Sequence, residues 1–98
     1  MKTGKLLNVL CLCDHGQVRS VAMASVLRER GHFAVAGAYD NYEEMRKQGL
    51  PKEFIGFFDK VLFLQEGGTH SVGRDEWGDP TNPDLRLRCL RKAQELNL

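Results

Sequence analysis

The sequence predicts an α/β domain in three layers, α/β/α, on a four-stranded parallel sheet. Apolar runs of strand length alternate with amphipathic helical stretches, and such alternation implies right-handed crossovers between parallel strands. The first run, Leu6 to Leu12, is apolar almost throughout, as a central strand covered on both faces must be. With 98 residues the chain fits a single domain, 1–98, able to bury roughly two-thirds of the surface its unfolded form exposes.

The elements follow in order. After the first strand comes a polar loop, Cys13-Asp14-His15-Gly16-Gln17-Val18-Arg19. Ser20 opens a helical stretch, Val21 to Arg30, where Met23, Val26, Leu27 and Arg30 share a face and Gly31 stops it. Phe33 to Ala38 reads as the second strand. Asn41 with Glu44 three residues on has the form of a capping box, which starts a short helix through Gln48, closed by Gly49 and Pro51. Glu53 to Phe58 reads as a short helical turn, and Lys60 to Gln65 as the third strand. Gly67-Gly68 forms a turn, and Thr69 to Gly73 is the expected fourth strand. Asn82-Pro83 starts the last helix, with Asn at the cap and Pro at the first helical position. Leu85, Cys89, Ala93 and Leu96 give that helix an inward stripe.

Composition narrows the function. At 42% hydrophobic and 28% charged the chain is ordinary globular material. Its net charge of +1 gives no nucleic-acid footprint; the run Arg86, Arg88, Arg91 and Lys92 reads as a solvated helix face. Three cysteines are an odd number for a disulfide framework, so reduced thiols and a cytoplasmic location are expected. Lys2 and Lys5 precede an apolar run, but it is short, contains Asn8 and meets Asp14-His15 instead of a small-residue cleavage site. No membrane partner is expected. Cys11-x-Cys13-x-His15 lacks the second pair of ligands that a zinc site needs, and no metal or cofactor is expected.

The loop after the first strand carries the chemistry. In an open parallel sheet, ligands bind beyond the C-terminal strand ends, where strand order reverses. Here that place holds Cys13, five residues, then Arg19 and Ser20. Loop amides and the following helix N-terminus cradle an anion and lower a thiol pKa. Arg19 offers a planar fork to two phosphate oxygens. Gly16 suits a positive φ, and the Ser20 hydroxyl can donate to the sulfur as it leaves.

From Val9 to Ala24 the chain resembles the signature of the low-molecular-weight protein tyrosine phosphatase superfamily: strand, Cys-x5-Arg-Ser, then a helix of small and apolar residues. The resemblance implies a flavodoxin-like sheet of the phosphotyrosine protein phosphatase I type. It implies a Cys13 nucleophile, an Arg19 clamp, and phosphate bound by the loop Asp14, His15, Gly16, Gln17 and Val18 with Ser20 in support. The loop departs from the family where the usual Gly-Asn pair is His15-Gly16, and where Gln17 and Val18 occupy the neighbourhood of a second cysteine. Asp14 adds a negative charge beside the nucleophile that weakens phosphate binding if it points inward.

A leaving oxygen needs a proton from a carboxylic acid. All parallel strands end at one edge, so the loop after the fourth strand, Gly73 to Pro80, should come near Cys13. Asp75-Glu76-Trp77-Gly78 resembles the family's Asp-Pro-aromatic-Gly motif, and Asn82-Pro83-Asp84-Leu85 the helix start of its compact members. The resemblance assigns Asp75 as general acid and Trp77 as a wall for an aryl ring; Asp79 is the competing carboxylate. The expected activity is metal-independent hydrolysis of phosphate monoesters, on a phosphorylated protein or a small ester. Arsenate reduction relayed by Cys11 and Cys89, a phosphocysteine carrier and a non-catalytic phosphate-binding module are the alternatives.

Overall fold

Asn8–Cys13 forms β1, and five of its six residues are buried, which makes it the strand at the centre. The computed structural model describes residues 6–49, 56–73 and 78–98. Among the described residues β1 lies between β2 (Phe33–Ala38) and β3 (Lys60–Phe63) in one parallel sheet of order β2-β1-β3. Register pairs Cys13 with Ala38 on one side and Leu12 with Phe63 on the other. Strand order therefore reverses at β1, which puts its C-terminal end where such sheets bind ligands. A Cα radius of gyration of 12.9 Å matches the ~13 Å expected of a folded unit this long.

Helix α1 (Arg19–Glu29) follows the first loop, α2 (Tyr39–Lys47) follows β2, and α3 (Pro83–Glu95) closes the chain. The β-strand period of two sends Val9, Cys11 and Cys13 to one face. There they join Ala22, Met23, Val26 and Leu27 of α1 and Leu85, Cys89 and Ala93 of α3 in the core. Arg86 of α3 ties the two helices across their rims, forking onto Glu29 at 2.7 and 2.8 Å and reaching Ser25. The basic run on α3 is thus partly structural, since Arg88 also donates to the Val72 carbonyl and Lys92 pairs with Glu95. Leu10 and Leu12 face the other side, where Val35 and the α2 residues Tyr42 and Met45 border a groove of about 270 Å³.

Two expectations are corrected. Helix α2 begins on Tyr39, directly after β2, with Ala38 as its cap and no side-chain cap bond. Asn41 lies inside the helix and cannot cap it, so the capping box does not form. Thr69 to Gly73 is not a strand: Gly68 bonds back to Gln65, Ser71 to Gly68 and His70 to Phe63, making successive turns. The Asn82 cap is as expected, its side chain accepting from the Asp84 and Leu85 amides. Of Glu53 to Phe58, residues 53–55 lie outside the described residues, and Gly56 and Phe57 are helical. No helix among the described residues is long and apolar enough to cross a membrane.

Candidate active site

Cys13 is the last residue of β1 and only 2% exposed. Burial alone would push its thiol up. Against that, the Ser20 hydroxyl and the backbone N–H groups of Ser20, Val18 and Gly16 bond the sulfur, and the net shift is downward. The Ser20 Oγ lies 3.2 Å from Sγ, and the Ser20 amide donates to it at 3.3 Å. Helix α1 has no side-chain cap, its cap residue being Val18, so the Ser20 amide in its first turn is left for sulfur. Ser20 itself is fully buried.

The loop holds this arrangement through its backbone. Gly16 has φ +69°, in the left-handed region, and a Cβ there would stand 2.8 Å from both the Gly37 carbonyl carbon and the Ala38 nitrogen. Only glycine meets both demands. The loop is thereby pressed onto the end of β2, and the Gly16 amide reaches the sulfur. Asp14, His15 and Gln17 are exposed, and Val18 is half-buried.

Arg19, the first residue of α1, is 4% exposed. Its Nη1 donates to the Gly73 carbonyl and its Nη2 to Asp14, each at 3.0 Å. Its Nε is buried without a partner among the described residues. A buried guanidinium N–H left unpaired costs free energy. Gly73 adopts φ +87°, and a Cβ on it would meet Arg88 Nη1 at 2.6 Å. Arg19 and Arg88 therefore grip the consecutive carbonyls of Gly73 and Val72, fixing the chain just before residue 74.

Asp75 and Trp77 lie outside the described residues. The competing carboxylate, Asp79, is exposed and accepts from the amide and hydroxyl of Thr81 at 2.9 and 2.7 Å. Those bonds hold its carboxyl below the usual range, the wrong direction for a proton donor at neutral pH. Asp79 is a turn residue.

The other two thiols behave differently. Burial pushes Cys11 up to about 12, and does the same to Cys89. All three cysteines are free. His32 and His70 each accept a backbone N–H at Nδ1, from Leu7 and Phe63, which gives both a structural role. No group of three or more His, Cys, Asp or Glu side chains among the described residues is placed to hold a metal ion.

Sequence reasoning missed an aromatic wall on the same sheet edge. Tyr39 and Tyr42 set their rings edge-on to Phe63, each 6.1 Å away, and His70 stacks on Phe63. Tyr39 and Phe63, with Arg46 and Gln65, line an open polar groove of about 460 Å³. Tyr39 follows the strand end that Gly16 touches; nothing in the local sequence marked it. Gly16, Val18 and Ser20 are brought onto Cys13, and Arg19 is tied to Asp14 of the same loop and to the Gly73 carbonyl. No family model, curated protein or solved structure matches this chain.

Proposed function

We propose that the chain is a phosphatase of the low-molecular-weight protein tyrosine phosphatase type, hydrolysing phosphate monoesters through a phosphocysteine on Cys13. One observation carries the reading: a buried sulfur whose hydroxyl and amide donors outweigh its burial and lower its pKa. Such a sulfur is thiolate-prone and sits in a ring of N–H groups able to turn to an oxyanion. Arg19, in the same loop-to-helix segment, supports the reading with a buried N–H that has no partner among the described residues.

The thiolate attacks phosphorus, the S–P bond forms and the P–O ester bond breaks. Asp75 gives its proton to the leaving oxygen; one residue separates it in sequence from Gly73, which Arg19 holds. Loop amides and Arg19 stabilise the charge on the equatorial oxygens. Water then cleaves the S–P bond, and Ser20 stabilises the departing thiolate. Trp77 flanks an aryl leaving group. The substrate is a phosphorylated protein or a small aryl phosphate, the location is the cytoplasm, and neither nucleic acid nor membrane takes part.

The same reading assigns a flavodoxin-like α/β/α layering, supported by the parallel order β2-β1-β3 with α1 and α3 against one face. Arsenate reduction on this loop would need a second reactive thiol, and Cys11 and Cys89 are held protonated. The test is turnover of an aryl phosphate in the presence of a chelator, with acid-quench detection of phosphate on Cys13. Cys13→Ser should abolish both signals; undiminished turnover in that variant would end the assignment. Phosphate binding by calorimetry with no turnover would identify a binding module.

A further inference from the structure

Asp14 reads in the sequence as a liability, an acid next to the nucleophile in a loop meant for an anion. Its carboxylate instead takes Arg19 Nη2 at 3.0 Å, with half of the Asp14 side chain in solvent and almost none of the Arg19 side chain exposed. The Gly73 carbonyl takes Nη1. A guanidinium is planar and rigid, so fixing both terminal nitrogens fixes its plane. Of the five N–H donors three remain, one on each terminal nitrogen and the Nε–H, and Nε is buried without a partner among the described residues.

We propose that Asp14 is the positioning residue of the oxyanion clamp, holding Arg19 with the Gly73 carbonyl so that the Nε–H edge is kept for the ligand. The inference rests on the phosphatase reading for its ligand class, a phosphate ester. Three features carry it together. The buried cation is neutralised from the loop itself, before any anion arrives. The acid remains hydrated, so no second charge is fully buried. The donors left over include the Nε–H, which with the second hydrogen of the neighbouring terminal nitrogen makes a side-on, two-point grip on an oxyanion. A clamp aimed in advance does not reorganise when charge develops in the transition state.

The experiment compares Asp14→Ala and Asp14→Asn on aryl phosphate turnover, with side-chain NMR of the Arg19 Nε–H in each protein. Asn keeps an acceptor oxygen where Ala has none, so it separates aim from charge. Asp14→Ala should lower kcat by roughly tenfold to a hundredfold with a smaller change in KM. Asp14→Asn should recover to within about threefold, the scale of one neutral hydrogen bond. The Nε–H resonance should be sharp in the wild type and in Asp14→Asn, broadened in Asp14→Ala, and shifted by inorganic phosphate. Wild-type kcat in Asp14→Ala, or equal loss in both variants, overturns the proposal. An Arg19 guanidinium that is mobile in the wild type overturns it too. A held guanidinium in a protein with no turnover leaves Asp14 its role and defeats the phosphatase reading instead.

Discussion

The interior of β1 and its end, two residues apart, hold cysteines of opposite character. Cys11 is fully buried and Cys13 is 2% exposed, both against the same helices. Cys11 lies mid-strand, where the backbone amides belong to the sheet, and its thiol is pushed up to about 12. Cys13 lies where the ladder ends and a loop folds back, and four bonds from the loop and α1 lower it. Burial does not decide a thiol's reactivity; the donors that a chain reversal releases do.

That contrast can be broken in five ways, from the largest effect to the smallest. Iodoacetate on the native protein should alkylate Cys13 faster than Cys11 by at least roughly 10³-fold at neutral pH. Peptide mapping would report it, and comparable labelling of both would erase the difference. Arg19→Lys keeps the charge but loses the fork, and should cost about 10²–10³ in kcat for an aryl phosphate. Gly16→Ala forces a side chain into the left-handed region and against the β2 backbone. It should destabilise the fold by about 2–5 kcal/mol in urea unfolding, and return the alkylation profile of Cys13 toward ordinary thiols.

Ser20→Ala removes one donor from the sulfur and should move the pH profile of alkylation upward, with roughly tenfold less turnover. An unmoved profile would mean the amides suffice. The last effect is on stability. Cys13 is a weaker acid unfolded than folded, so its contribution is present above the unfolded pKa and fades as pH falls through the lowered one. Cys11 and Cys89 are weaker acids folded, so theirs is intact below the ordinary thiol range and is lost as pH rises toward about 12. In that alkaline window each should subtract about 1.4 kcal/mol per pH unit. Cys89→Ala, though less stable throughout, should show the shallower decline.

How much of this was legible depended on range. The β1–loop–α1 unit is local, and a strand, Cys13, Gly16, Arg19 and Ser20 announce it within a few residues. Asn82-Pro83 likewise signals its helix through side-chain bonds from the Asp84 and Leu85 amides, two and three residues on. The errors came where tertiary contacts overrode local grammar. Asn41 and Glu44 spell a helix start, yet α2 runs straight out of β2 and places them inside. Thr69 to Gly73 has strand-like residues, but His70 is tied back to Phe63 by its own amide and ring. The Arg19–Gly73 bond spans 54 residues and ends on a carbonyl, which no side-chain pattern can advertise. The assignments of Asp75 and Trp77 fall outside the described residues.

At Gly16 the loop meets the end of β2 with no side chain between the two backbones. Elsewhere in a protein, a rotamer change cushions a small displacement before it spreads. This joint has no cushion, and α2 starts one residue beyond it. The start of α2, and Tyr39 with it, is thereby held one residue from a backbone-to-backbone joint with the loop whose amides surround the sulfur.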